Sequence, residues 1–160
     1  MDLKRTNVLL LDVQTTGATP AKGHLLEVAW CRFRAGATKR SAEHASPAPL
    51  ELPVRALPVS SSLVALPRGA RLPRQIRQLT GITRRDLAGA PTSADVWMRW
   101  KAAVSAGPAL AVIHFARFER KWLEAWASAV EGTSTLPVRV VCTHAIAERL
   151  LPTLPRRGIR

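Results

Sequence analysis

The sequence predicts an α/β sandwich: a mixed sheet flanked by helices. Two observations carry this. Two short apolar runs lie close together at the start, where a tight turn can pair them as neighbouring strands. Later apolar runs alternate with segments whose large apolar residues recur at helical spacing, the pattern of helices packed on a sheet. There is no internal repeat and no sign of a second domain.

Asn7-Val-Leu-Leu-Leu-Asp-Val13 reads as a buried strand closed by Gln14-Thr-Thr-Gly17. Leu25 to Phe33 reads as a second strand after a Pro20 to Gly23 turn, antiparallel to the first. From Ala45 to Pro73 the chain carries half of its twelve prolines. That density allows one or two short edge strands and loop, but no long helix. Gln75 to Thr80 reads as a short helix stopped by Gly81. Thr92 or Ser93 can cap a helix with the stripe Val96, Trp97, Trp100, Ala103 and Val104, ended by Gly107-Pro108. Ala109 to His114 is then a strand, and Ala116 to about Val130 a helix with the stripe Phe118, Trp122, Leu123, Trp126 and Val130. Pro137 to Val141 gives a last strand and Thr143 to Leu151 a last helix.

A chain of 160 residues can bury roughly 70% of the surface its unfolded form exposes, so one conventional core is feasible. With 47% hydrophobic and 22% charged residues, a disordered or collagen-like chain is excluded. No apolar run approaches the roughly 20 residues that span a bilayer, and the first residues do not form a secretory signal. Cys31 and Cys142 are too few for a disulfide framework or a zinc site and read as two reduced, buried thiols. The expectation is a soluble, cytoplasmic protein without a membrane partner. Twenty-four basic against eleven acidic residues leave a net charge of +13. Such a surplus favours a polyanionic partner, although an arginine-, alanine- and proline-rich composition also follows from GC-rich coding DNA.

Two acids sit where acids are costly. Asp12 ends an apolar strand, and Gln14, two residues on, projects from the same face at the strand's carboxyl end, where open α/β sheets bind ligands. The alternative is a turn-forming aspartate bonded to the backbone of Thr15 to Gly17. Glu119 falls on the apolar stripe of its helix, where a carboxylate needs a partner, a proton or a cation. It also lies in the first turn, where the helix dipole alone welcomes negative charge. His114, just before that helix, reads as a hydrogen-bonded structural residue or as a base. No phosphate loop, nucleophile elbow or His-Glu-x-x-His motif occurs. Carboxylates without a nucleophile point to metal-assisted chemistry with Mg²⁺ or Mn²⁺ on hard oxygen ligands.

Four segments together resemble the DnaQ-like, DEDD-type 3′–5′ exonuclease family, in the branch typified by the proofreading epsilon subunit of DNA polymerase III. Asp12-Val-Gln14-Thr-Thr-Gly17, with Pro20 and Leu26-Glu27 behind it, resembles the first motif, Asp-x-Glu-Thr-Thr-Gly. Leu79-Thr-Gly-Ile-Thr83 and Leu87-Ala-Gly-Ala-Pro91 resemble the stretch that follows the early strands. Val112 to Leu123 resembles the second motif, His-Asn-x-x-Phe-Asp-x-x-Phe-Leu, and Val141-Cys-Thr143 running into Ala147 to Pro152 resembles Asp-Thr-x-x-Leu-Ala-Arg. The resemblance implies a ribonuclease H-like fold and Mg²⁺- or Mn²⁺-dependent hydrolysis of a 3′-terminal phosphodiester. It implies Asp12, Gln14 and Glu119 as the catalytic set, with Asp12 and Glu119 on the metal. Thr15, Thr16, Gly17, His114 and Phe115 are the implied substrate contacts, and a single-stranded 3′ end the implied partner.

The departures shape the expectation. Gln14 stands where the family has a carboxylate, Glu119 where it has aspartate, and Phe115 where it has asparagine. No His-x-x-x-x-Asp motif follows Pro152, and His144 lies in the wrong segment to replace its base. Losing a general base costs about 10² to 10⁴ in rate, so weak nuclease activity or none is expected. The same gap predicts a single domain truncated before its last helices, with part of one sheet face left uncovered. Two rival readings are a module that holds a 3′ end without cutting it and a protein-interaction domain docking a larger polypeptide or a repair or replication enzyme. Arg117, Arg120 and Lys121 are candidates for phosphate contact or for an ordinary solvated helix face.

Overall fold

The computed structural model describes residues 6–34, 58–105, 107 and 109–153. Five strands form one sheet in the order β3-β2-β1-β4-β5: β1 Asn7–Thr15, β2 Leu25–Arg34, β3 Val59–Leu63, β4 Ala109–Ile113 and β5 Arg139–Cys142. The helices are α1 Arg74–Thr80, α2 Arg84–Ala88, α3 Ser93–Ser105, α4 Ala116–Glu131 and α5 Thr143–Leu150. β2 pairs antiparallel with β1 and β3, whereas β4 and β5 run parallel to β1. The mixed sheet flanked by helices is therefore the ribonuclease H-like arrangement the sequence implies.

Alternation along β1 decides which face is core. Leu9, Leu11 and Val13 are buried and meet the stripes of α3 and α4, while Leu10 and Asp12 are exposed on the other face. Trp97 and Trp100 of α3 and Trp126 of α4 pack as one aromatic cluster, with ring centroids 4.9 to 5.9 Å apart. Trp126 donates its indole N–H to the Ser93 carbonyl at 3.1 Å, pinning α4 to the start of α3. These three tryptophans are core residues, as their helical spacing predicts. On the opposite face Leu10 and Val59 remain exposed, an apolar strip beside Asp12.

Several details differ from the sequence reading. β1 does not close at Val13: Gln14 and Thr15 stay in the strand, opposite Glu27 and Leu25, with a register shift between them. The Pro20 turn is a 3-10 turn over Pro20–Lys22. α2 was not expected. It is a single turn held by a capping box between Thr83 and Asp86, too short to show a hydrophobic period. Thr92, not Ser93, caps α3, accepting from Asp95 N while Asp95 accepts from Thr92 N. The stop after α3 is built from Arg32, which donates to the carbonyls of Ala103 (2.9 Å) and Gly107 (3.3 Å); Pro108 lies outside the described residues. The first part of the proline-rich stretch, residues 45–57, also lies outside them, and its described part supplies the edge strand β3. Cys31 is buried, but Cys142 is only half-buried because it caps α5 at the sheet end. Among the described residues no helix is long and apolar enough to cross a membrane.

Candidate active site

The parallel pairing of β1 with β4 brings their carboxyl ends side by side, and α4 starts two residues after β4 ends. Asp12 from the strand and Glu119 from the first turn of the helix therefore lie at the same end of the sheet, near enough for the charge of Asp12 to act on Glu119. Gln14 completes the group by donating its amide N–H to Asp12 Oδ2 at 3.1 Å.

The electrostatics are strained in one direction. Glu119 is 5% exposed, and its Oε2 is buried without a hydrogen-bond partner. Burial, and then the charge of Asp12, push its carboxyl up to about 8. Asp12 is also raised, by partial desolvation, with the Gln14 hydrogen bond opposing the shift. Asp12 makes no hydrogen bond to the Thr15–Gly17 backbone among the described residues, so the turn-forming reading fails. Thr15 performs that task, donating from Oγ1 to the Gly17 carbonyl at 2.8 Å. A dipole role alone is also insufficient for Glu119, because it leaves a buried oxygen unpaired.

The donor set fits one hard divalent cation. Two carboxylates that repel each other, one with an orphaned oxygen, are relieved by a cation, and the Gln14 carbonyl oxygen is a neutral third donor. The set does not fit a two-ion centre. Among the described residues no group of three His, Cys, Asp or Glu is placed to hold an ion.

The remaining sequence-selected residues divide in two. Thr15, Thr16 and Gly17 line a cleft of about 510 Å³ with Gln14, Leu79 and Phe118. Thr16 Oγ1 accepts from His24 N at 2.8 Å and its own N–H donates to the His24 carbonyl at 2.9 Å, so the turn is clamped to the start of β2. Leu79 is 80% exposed on α1, an apolar side chain facing the cleft from the segment that resembled the family after its early strands. Neither Leu79 nor Phe118 was singled out as a contact from sequence, since an isolated apolar residue carries no chemical signature. His114 behaves structurally: its Nδ1 lies 3.0 Å from Thr143 Oγ1, and its carbonyl accepts from His144 N and Cys142 Sγ. Phe115 lies at the bend before α4, half-exposed. Of the three basic candidates, Arg120 is bound to Glu124 at 2.7 Å along its own helix, while Arg117 and Lys121 are exposed.

No protein-family model matches the sequence, and no curated protein does. Solved structures do. The metal-free E. coli ExoI–ssDNA complex superposes with a TM-score of 0.71 over 93% of this chain and 31% of that one, at 12% identity. Product-bound exonuclease I gives 0.69 over 98% and 34%, at 13% identity. The ExoI/SSB-Ct complex gives 0.70 over 98% and 32%, also at 13% identity. The fold is that of exonuclease I. This chain spans about a third of the length of the exonuclease I chains it matches. At such identity the likeness to exonuclease I establishes the architecture. The chemistry has to be argued from Asp12, Gln14 and Glu119.

Proposed function

We propose that this chain is a divalent-metal-dependent domain of the 3′–5′ exonuclease type that engages the 3′ end of a single strand. In this reading its hydrolysis of the terminal phosphodiester is weakened or lost. The observation that carries it is the buried, unpartnered Glu119 within the field of Asp12, beside the cleft lined by Thr15 to Gly17. A bound Mg²⁺ or Mn²⁺ would supply Lewis-acid polarisation of the phosphodiester. Asp12 and Glu119 would hold it, with the Gln14 amide as a neutral contact that lowers the site's charge by one relative to a carboxylate. The clamped Thr15–Gly17 turn offers backbone to the terminal sugar, while Leu79 and Phe118 exclude water from one side of the cleft. Gln14 in the place of a carboxylate removes one negative charge from the metal site, which is why catalysis should be slow. Binding of single-stranded DNA and of an SSB C-terminus by exonuclease I makes both kinds of partner reasonable for this domain. Free cysteines and a nucleic-acid substrate agree with a cytoplasmic site of action.

The test is mononucleotide release from a 3′-labelled single strand in Mn²⁺, beside Asp12→Ala. Slow release that Asp12→Ala abolishes is the expected result. Binding of the strand without release would leave a non-catalytic end-binding module. Absence of both release and binding would overturn the proposal.

A further inference from the structure

One turn of α4 before Glu119, a second cleft opens between the start of α4 and the start of α5. It measures about 440 Å³ and is lined by Phe115, Arg117, Cys142, His144, Ala145 and Glu148. Phe115 is 46% exposed, which is unusual for a large aromatic at a strand-to-helix bend. His144 sits edge-on to it, with centroids 5.2 Å apart at 84°. His144 is held in turn by its N–H to the His114 carbonyl at 3.0 Å, and α5 is capped by Cys142, whose Sγ lies 3.4 Å from the same carbonyl. The ring therefore packs on one edge against the start of α5 and leaves apolar surface open to the cleft. The charge of the cleft is lopsided. Glu148 is turned to His144, with 3.7 Å between Oε2 and Nδ1, whereas Arg117 has no carboxylate partner among the described residues.

We propose that this cleft takes a nucleobase of the single strand next to the engaged 3′ end, stacked on Phe115, with its phosphate on Arg117. The inference rests on the reading of Asp12 and Glu119 as an end-binding site. The chemistry favours nucleic acid over an apolar peptide, because an exposed aromatic beside an unpaired guanidinium matches a π-face joined to a phosphate. Proximity adds to this: Glu119 lies four positions beyond Phe115, about 6 Å along the axis, which puts the cleft next to the carboxylates that would engage a 3′ end. Asparagine in the place of Phe115, as in the resembled motif, would offer a polar contact but no stacking surface.

The experiment is fluorescence anisotropy of the full chain with a series of single-stranded oligonucleotides in Ca²⁺, at one salt concentration for the positional comparison and across a salt range for the intact strand. The series carries one abasic residue, moved stepwise back from the 3′ end. The expected result for the wild type is a loss of about 5- to 100-fold at one position near the end. Phe115→Ala should bind the intact strand with the same loss and show no further penalty at that position. Phe115→Trp should restore it, and Arg117→Ala should weaken binding uniformly and flatten the salt dependence. Unchanged affinity in Phe115→Ala, or a positional penalty that survives in it, overturns this inference and leaves the proposed function standing. Absence of strand binding by the wild type overturns both.

Discussion

Burial and the Asp12 charge push the Glu119 carboxyl up to about 8, so a proton accompanies Glu119 in the folded chain at neutral pH when no cation is present. The sign of the linkage follows. Between the ordinary glutamate value and about 8 the folded state binds more protons than the unfolded one, so stability falls as pH rises through that window and is flat above it. At about 1.4 kcal/mol per unit the effect amounts to several kcal/mol at most. Glu119→Gln should therefore be more stable than wild type at pH 8.5 and close to it at pH 4.5, as read from urea midpoints in chelator-treated buffer. A parallel pH dependence of the two proteins would contradict the assignment. Gly17 offers a second test at this scale. A Cβ there would lie 2.7 Å from the Lys22 carbonyl oxygen and 3.3 Å from Gly23 Cα, both backbone atoms that cannot swing away. Gly17→Ala should cost about 1–3 kcal/mol in thermal or chemical denaturation, by prising the Thr15–Gly17 turn from the start of β2. Asp12 and Glu119 were legible in the sequence because an acid in an apolar strand or stripe contradicts its surroundings. Their mutual approach was not, since they lie in different elements joined only through the β1–β4 pairing.

Helix ends show how far local chemistry reaches. Thr92 Oγ1 accepts from Asp95 N at 3.2 Å and Asp95 closes the reciprocal bond, so the cap satisfies two otherwise orphaned groups. Thr92→Ala should lower stability by about 0.5–2 kcal/mol, with helical circular dichroism retained below the melting transition. α4 ends at Gly132 with φ +72°, and α1 at Gly81 with φ +75°, left-handed positions that favour glycine. Long periodic helices such as α4 announce themselves through Phe118, Trp122, Trp126 and Val130. The single turn of α2 has one buried residue, Leu87, and no period to read. β1 illustrates the other limit. Gln14-Thr-Thr-Gly17 has turn composition, yet pairing with Glu27 and Leu25 of β2 holds Gln14 and Thr15 in the strand, because cross-strand hydrogen bonds outweigh local turn preference.

At the scale of the molecule, the +13 charge and the carboxylate pair would act on the proposed single-stranded partner in opposite ways. Long-range attraction of a polyanion is supplied by the basic surface, while the two acids require a cation before a phosphate can approach them. Affinity for a single strand should therefore fall linearly in log–log terms with salt; four phosphate contacts correspond to about a 50-fold loss between 50 and 200 mM. A flat salt response in a binding titration would remove charge as the driving force. The core gives an independent check: Trp100 is fully buried against Trp97 and Trp126, and Trp100→Ala should cost about 3–5 kcal/mol. What the sequence by itself determined is the class of fold, the order of its strands and helices, and the acids at odds with their apolar neighbours, because hydrophobic period and capping chemistry act over a few residues. The tertiary structure alone decided that Asp12 and Glu119 share one field, that Gln14 is spent on Asp12, and that Phe115 faces a cleft with Arg117. Those are distances between elements far apart in the chain, and only packing and strand register set them.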